Sequence, residues 1–211
     1  MSLRVPTLQG SSVRLEPLSV RHAADLADAV EEDRSSYGFA LVPRADGVPA
    51  YLEAQLARQA EGLTPVAQVR VRDHKAVGCT AIWNPRTWPG RPELRAIEVG
   101  GSWLAASAQG TGINVEAKFL LFSYVFETLG VVRVDLKTDA RNKRAHLAVE
   151  RLGARYEGVL RQWSPSRAPG EEGQLRDSAM FSVIASEWPA TKLAMLARLA
   201  PKHHRGRAGS R

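Results

Sequence analysis

The sequence holds a single cysteine, Cys79, among 211 residues. One cysteine cannot form an intramolecular disulfide, and the apolar neighbours at 77–82 predict a buried strand thiol rather than a nucleophile. The five histidines show no spacing with cysteine or carboxylates that is typical of a metal-ligand set. We therefore expect neither redox chemistry nor a bound metal.

Long hydrophobic runs are also missing. No apolar stretch reaches the roughly 18 residues that a membrane-spanning helix needs. Residues 1–10 lack the basic-then-apolar order of a secretory signal. These two absences predict a cytoplasmic protein with no membrane partner.

The composition is that of an ordinary globular protein, with 44% hydrophobic and 24% charged residues. We expect one domain over residues 1–190, followed at 191–211 by a helical extension and a basic, disordered tail. The net charge of +7 favours an anionic ligand or partner, such as a phosphorylated cofactor, nucleic acid or the ribosome. The charge alone does not choose among them.

Alternating strand and helix patterns predict a single α/β (α+β) domain built around one mixed sheet. The period-2 and apolar runs predict strands at 13–18, 66–71, 76–83, 97–104, 131–137, 155–163 and 178–184. Helices are expected from Ser19 onward and at 50–61, 115–129 and 142–152. Segments rich in proline and glycine are expected to be loops at 35–49, 84–92 and 165–173.

A glycine-containing turn joins the strand at 97–104 to the nearly apolar helix at 115–129. It reads Gln109-Gly110-Thr111-Gly112-Ile113-Asn114. Two glycines let the backbone approach a phosphate closely, and the free N–H groups and dipole of the following helix face the same point. The Gly-Lys-Ser/Thr of a P-loop and the third glycine of a dinucleotide fingerprint are absent. The pattern indicates either a site for a pyrophosphate-bearing cofactor or an ordinary turn.

Three segments together resemble the GNAT superfamily of N-acetyltransferases, and most closely its RimJ/RimL branch, which acetylates ribosomal-protein N-termini and related amines. The loop 109–114 is close to the superfamily pattern Gln/Arg-x-x-Gly-x-Gly/Ala, although Asn114 departs from it. The segments are 97–118, 139–158 and 176–189, and they include Glu98-Val99-Gly100, Asp139-Ala140-Arg141-Asn142, Arg151-Leu152-Gly153-Ala154 and Glu187-Trp188-Pro189. The resemblance covers about residues 8–189.

The resemblance implies a seven-stranded mixed sheet that splays open between its fourth and fifth strands, here 97–104 and 131–137. Acetyl-CoA would enter this split as the cosubstrate. The backbone of Trp103, Leu104 and Ala105, near an expected bulge, would pair with the pantetheine arm and stabilise the oxyanion. The loop 109–114 would hold the pyrophosphate. Asn142 would hydrogen-bond the pantetheine side, and its position also suits a helix N-cap.

Acetyl transfer to nitrogen requires a neutral amine, because an ammonium has no lone pair for the attack. Glu98 is the candidate general base, acting directly or through a water, with a pKa raised by burial. The alternative is a strand carboxylate paired with Arg95 or another basic residue. Trp83 and Trp163 could line an acceptor pocket, or could simply belong to the core.

The proton donor for the departing thiolate is not evident. At the positions where superfamily members place a tyrosine or, in the RimJ/RimL branch, a serine, this chain has Val149 and Ala145. His146 is adjacent to Ala145 but could merely be solvated, and water is an equal alternative.

The leading hypothesis is an acetyl-CoA-dependent N-acetyltransferase that uses direct transfer in a ternary complex. The acceptor would be a protein N-terminus or an amine-bearing small molecule, and the ribosome is a possible partner. One alternative is a non-catalytic, GNAT-like acyl-CoA-binding regulator. A second alternative is a basic module that binds the ribosome or RNA without turnover. The protein could also be a homodimer, because dimers are common among similar proteins.

Overall fold

The computed structural model describes residues 3–200, so residues 201–211 of the extension and basic tail predicted at 191–211 lie outside the described residues. In chain order the strands are β1 (Leu8–Gln9), β2 (Val13–Pro17), β3 (Thr64–Arg70), β4 (Ala76–Trp88), β5 (Arg91–Leu104), β6 (Arg133–Asp139), β7 (Arg155–Pro165) and β8 (Leu175–Ile184). The helices are α1 (Ala23–Glu31), α2 (Val48–Ala57), α3 (Ile113–Ser123), α4 (Lys143–Glu150) and α5 (Trp188–Leu199).

The strands form one mixed sheet in the order β1-β2-β3-β4-β5-β6-β8-β7, which confirms the predicted α/β domain. The sheet has eight strands where seven were expected. The extra strand is β1, a two-residue segment that pairs Leu8 with Leu15 and Gln9 with Arg14. The predicted fourth and fifth strands are therefore β5 and β6.

The sheet splays open between β5 and β6. These parallel strands pair only at Ala96↔Arg133, Ile97↔Val134 and Glu98↔Asp135. Beyond Glu98 they diverge, while β6 continues to pair with β8 as far as Asp139. The expected split is thus confirmed, and it opens at Glu98.

The loop prediction at 84–92 is wrong. Strands β4 and β5 form a long hairpin through this segment, with Arg86 opposite Ala96 and Trp88 opposite Arg91. Prolines misled the prediction because they usually end a strand. Here Pro85 lies where the ladder register shifts, a position at which proline costs no ladder hydrogen bond.

The helices lie on the two faces of the sheet. The indole N–H of Trp103 on β5 donates to the Tyr51 hydroxyl of α2, whereas the neighbouring Ser102 contacts Lys118 of α3. Because successive strand residues point to opposite faces, α2 and α3 lie on opposite sides. Helix α1 packs with α2, and α5 packs with α3.

Helix α4 joins the α3 face through α5, because Arg198 of α5 donates to the Arg151 carbonyl at the end of α4. The split is therefore flanked by α3 and α4 on one face. Cys79 is buried in β4, as predicted, and burial raises the pKa of its thiol to about 12. Within residues 3–200, no helix is long and apolar enough to span a membrane.

Candidate active site

The loop at the start of α3 has the backbone conformation of an anion cradle. Gly110 and Gly112 adopt left-handed φ angles of +73° and +90°, which other residues take only at a cost. No atom lies within 4 Å of a Cβ built on either glycine, so the space in front of them is open. The first N–H groups of α3 have no acceptor within the helix. Open space, free amides and the positive helix end fit a phosphate group.

The side chain of Gln109 connects this loop to both sides of the split. Its Nε2 donates to the Leu104 carbonyl (2.8 Å) and to Ser36 Oγ (3.0 Å), and its Oε1 accepts from Arg144 on α4. Arg144 adds a cation to the mouth of the split. Sequence reasoning missed Arg144, although its place in the first turn after Asn142 was a usable signal.

The main chain at the end of β5 faces the split. The N–H of Ala105 donates to the Val77 carbonyl of β4 (2.7 Å). The Leu104 carbonyl belongs to the same planar trans peptide unit and so points away from β4, where the Tyr37 hydroxyl also donates to it (3.1 Å). Trp103 and Leu104 otherwise stay in register with β4. A ligand amide that pairs with this carbonyl has to share it with Gln109 and Tyr37.

The bulge lies earlier on β5 than expected. Trp103 pairs with Cys79 and Gly100 pairs with Ala81, which leaves Gly101 and Ser102 opposite one residue of β4. The expectation of a bulge at 103–105 is therefore wrong. Gly101 has a left-handed φ of +61°, and this conformation makes glycine the residue at which the strand can kink.

Glu98 is a buried carboxylate with one free oxygen, and its side chain is 4% exposed. Its Oε2 accepts from Lys137 on β6 (3.1 Å), whereas its Oε1 has no hydrogen-bond partner within residues 3–200. Burial raises the pKa of Glu98, and Lys137 opposes that rise. The basic partner is thus Lys137. Arg95, the alternative named from the sequence, pairs with Glu93 (3.6 Å).

A cavity of about 210 Å³ adjoins Glu98. Trp83 lies opposite Glu98 in the β4–β5 ladder and lines the cavity, together with Lys137 and Arg58. The two cations lie 4.8 and 5.5 Å from the centroid of the Trp83 ring. The indole N–H of Trp83 and Glu98 Oε1 lie near each other, and neither makes a hydrogen bond of good geometry in the described part of the chain. Trp83, like Lys137, opposes the rise in the pKa of Glu98. The cavity therefore offers an acceptor and a donor to a polar ligand.

The second predicted tryptophan lies elsewhere. Trp163 is 55% exposed on β7 and is not among the cavity residues. Strands β6 and β8 separate β7 from β5. The structure therefore brings Trp83 and Glu98 together and leaves Trp163 apart from them.

Helix α4 carries Asn142 at its start and His146 in its middle, and both have structural contacts. Asn142 caps the helix, with its Oδ1 accepting from the N–H of Ala145 (3.0 Å). His146 is half-buried and packs edge-on against Phe181 of β8, at 5.3 Å between ring centroids. No metal-holding group of His, Cys, Asp or Glu occurs within residues 3–200. The helix thus supplies a cap at the split, and neither Ala145 nor Val149 can donate a proton from its side chain.

The chain is similar in sequence and in fold to known acetyltransferases. A family model described as an acetyltransferase (GNAT) domain matches residues 12–155. The chain is similar to the crystal structure of a GCN5-related N-acetyltransferase from Brucella melitensis, with a TM-score of 0.81 and 29% identity over 95% of this chain and 88% of that one. No curated protein matched the sequence.

Two more distant structures share the fold. Mycobacterium smegmatis RimJ, solved in complex with CoA-disulfide, has a TM-score of 0.72 and 19% identity over 91% of this chain and 94% of that one. The ribosomal-protein-S5-alanine acetyltransferase from Vibrio fischeri has a TM-score of 0.65 and 17% identity, covering 87% and 99% of the two chains.

Proposed function

Because the chain belongs to the GNAT acetyltransferase family, whose cosubstrate is acetyl-CoA, we propose that it acetylates a primary amine by direct attack in a ternary complex. One observation carries this proposal. The split that opens beyond Glu98 has the glycine loop at its mouth on the α3 face and the free Glu98 oxygen at a cavity on the α2 face. The two substrates can therefore meet at the split from opposite sides.

In this proposal the loop and the first turn of α3 bind the coenzyme's pyrophosphate. Main-chain groups of β5 beyond Glu98 bind the pantetheine arm, and Asn142 donates to it from α4. The main-chain N–H groups beside the Gly101–Ser102 bulge stabilise the oxyanion of the tetrahedral intermediate. Trp83 orients the acceptor at the cavity wall.

Glu98 acts as the general base. Its free Oε1 takes a proton from the acceptor ammonium, directly or through a water, and the neutral amine then attacks the thioester carbonyl. The raised pKa of Glu98 suits this task, because a more basic carboxylate accepts the proton more readily. Lys137 holds the other oxygen and fixes the carboxylate in place.

The acceptor is a protein N-terminus or a small amine. The cavity of about 210 Å³ is sized for the amine-bearing end of a molecule rather than for a whole folded partner. The fold shared with RimJ and with the ribosomal-protein-S5-alanine acetyltransferase supports including N-terminal peptides, and so a ribosomal protein, among the candidates. Homodimer formation and a cytoplasmic location stay predictions from the sequence.

The test is release of free thiol from acetyl-CoA with a panel of N-terminal peptides, polyamines, amino acids and aminoglycosides. Thermal shifts with acetyl-CoA and with RNA accompany it, since a ligand that binds only the folded state raises the melting temperature. We expect stabilisation by acetyl-CoA, none by RNA, and thiol release with at least one amine. Stabilisation by acetyl-CoA with no turnover on the whole panel would favour the acyl-CoA-binding regulator.

Glu98→Gln tests the base. A carboxylate works as a base only when ionised, so the wild-type rate rises with pH through the pKa of Glu98. Gln cannot ionise, and we expect it to remove this rising limb and to slow turnover about a hundredfold, as loss of general-base catalysis typically does. The measurement is kcat against pH for a fixed acceptor.

Glu93→Gln is the matched control on the same strand, because its carboxylate is largely exposed and, among the residues that the structure describes, forms an ion pair with Arg95 alone. It should keep the wild-type profile. A Glu98→Gln enzyme with an unchanged rising limb would end the role of Glu98 as base.

A further inference from the structure

Lys118 of α3 is a buried amine without a carboxylate partner within residues 3–200. It is 4% exposed, and its Nζ donates to Thr80 Oγ1 (2.9 Å) and Ser102 Oγ (2.7 Å). An unpaired ammonium is rarely buried, because removing it from water costs free energy that two hydroxyls only partly offset. Burial lowers the pKa of Lys118 to about 7, so its charged and neutral forms coexist near neutral pH.

One of the two hydroxyls that accept from Lys118, that of Ser102, belongs to the bulge beside the split. Ser102 is exposed, and together with Gly101 it forms the bulge, at the part of β5 that has left the β6 ladder. Lys118 thus lies beneath the surface, and Ser102 connects its Nζ to the open side of the strand.

This pair lies on the face where a coenzyme thiol would depart. In the proposed function the loop at 109–114 binds the pyrophosphate at the start of α3, so the coenzyme enters the split from the α3 face. Glu98 contacts Trp83 and the cavity beside Arg58, which follows α2 on the opposite face. A proton acceptor for the amine and a proton donor for sulfur are therefore needed on opposite faces, and Lys118 with Ser102 occupies the second.

We propose that Lys118, acting through the Ser102 hydroxyl, supplies the proton that the departing coenzyme A thiolate takes up. This inference rests on the acetyl-transfer function proposed above. When the C–S bond of the tetrahedral intermediate breaks, its electron pair stays on sulfur. Sulfur takes the proton of the Ser102 hydroxyl, and the Ser102 oxygen takes a proton from the Lys118 ammonium.

The step leaves a neutral lysine, a neutral serine and the free thiol. The attacking nitrogen, which is still protonated in the tetrahedral intermediate, loses its second proton to solvent as the amide forms. Solvent reprotonates Lys118 before the next turnover, and the proton that Glu98 removed from the acceptor passes to solvent. The relay fills the role for which the α4 positions Ala145 and Val149 have no donor.

Ser102→Ala is the decisive variant, because it breaks the relay at an exposed residue and should leave the fold intact. Ser102→Thr is the matched control that keeps the hydroxyl. We expect kcat for Ser102→Ala to fall about a hundredfold, at the low end of the range for loss of an acid catalyst, while the Kd for acetyl-CoA stays unchanged. Ser102→Thr should stay within about twofold of wild type.

The dependence of kcat on pH distinguishes a role of Ser102 in proton transfer from a purely structural role in the bulge. An acid catalyst must be protonated, so the wild-type kcat should fall as pH rises through the pKa of Lys118. Ser102→Ala should lose this falling limb, because water then supplies the proton at every pH, and Ser102→Thr should retain it. A Ser102→Ala enzyme with wild-type kcat and an intact falling limb would overturn the proposal.

Lys118→Met, which keeps an unbranched side chain, gives an independent check. Residues of one relay act as a unit, so the double variant Lys118→Met with Ser102→Ala should be no slower than the slower single variant. Two full, additive losses would contradict the relay. If Lys118→Met does not fold, the comparison of Ser102→Ala with Ser102→Thr tests the proposal by itself. Absence of thiol release in the wild type would instead sink the proposed function, whereas activity with an unaltered Ser102→Ala profile sinks only this inference.

Discussion

Asn142 shows how one side chain can serve both the fold and the ligand. Its Oδ1 caps α4 at the N–H of Ala145, and its Nδ2 makes no hydrogen bond to any described residue. The carbonyl end of the amide therefore caps the helix. The NH₂ end is left to make the hydrogen bond to the pantetheine arm that the family resemblance implies.

Asn142→Asp separates these two roles. Aspartate caps a helix as well as asparagine does, so the free energy of unfolding should stay within about 0.5 kcal/mol of wild type. The variant has no NH₂ donor, and losing one hydrogen bond should weaken acetyl-CoA binding about tenfold. Urea denaturation and calorimetric titration measure the two effects. Asn142→Ala, the comparison variant, should lose about 1 kcal/mol of stability in addition. Wild-type affinity in Asn142→Asp would leave Asn142 as a cap only.

The sequence predicts the conformation and contacts of some single residues of the site better than those of others. The left-handed glycines of the loop were predictable, because a strand-to-helix turn that approaches a phosphate needs them. The partner of Glu98 was not, because the Lys137 contact depends on where β6 lies beside β5. Lys118 left a weak signal. It lies in the nearly apolar helix predicted at 115–129, and such a helix is covered on most sides, which implies a lysine covered by other elements.

At the scale of elements, the β4–β5 hairpin determines the shape of the split. It extends past two prolines that the sequence patterns indicated as loop, and its bulge at Gly101–Ser102 shifts the edge of β5. Local propensity could not predict this, since cross-strand pairing within the hairpin overrides it. Local propensity also failed to predict how α3, the helix after the loop at 109–114, ends. It ends as α-helix at Ser123 and continues as a π-helical turn over Tyr124–Thr128.

Gly78→Ala tests whether the close approach of β4 and β5 matters. A Cβ at Gly78 would lie 2.1 Å from the Trp103 carbonyl oxygen, so β5 has to shift to admit a methyl group. We expect a loss of about 1–3 kcal/mol in the free energy of unfolding, as for other overpacked sites, together with weaker acetyl-CoA binding. Urea denaturation and binding titration measure both.

Gly38→Ala is the matched control for Gly78→Ala. Gly38 has helical φ and ψ angles, and no atom lies within 4 Å of its built Cβ. This change should cost neither stability nor affinity. Equal stability and equal affinity of the two variants would mean that the position of β5 is not held by its packing on β4.

For the whole molecule, the alternating strand and helix patterns predicted the α/β class, and the resemblance to the GNAT superfamily implied the place of the split. Neither predicted how far β5 and β6 pair. Their ladder stops at Glu98, and the side chains of Gln109 and Arg144 reach across the mouth of the split. Such contacts exist only after the domain has folded, so the sequence could at most mark Arg144, by its place after Asn142, as a residue near the split.

Hydrogen exchange can test the split as a ligand site. Main-chain groups of β5 beyond Glu98 have no ladder partner on β6, so those facing the split should exchange quickly in the free protein. A coenzyme arm that pairs there as an added strand should slow exchange in peptides covering residues 99–105. Adenosine 3′,5′-bisphosphate lacks the arm, so it should protect only the loop at 109–114 and the start of α3.

The comparison of these two ligands removes the effect of general stabilisation, because any ligand of the folded state slows exchange that proceeds through global unfolding. Both ligands should be used at the same multiple of their Kd, so that this shared contribution is equal. Protection at 99–105 that acetyl-CoA adds beyond the bisphosphate then reports the arm alone. Equal protection by both ligands would mean that the arm does not lie in the split, and Glu98 and Ser102 would then face no reacting thioester.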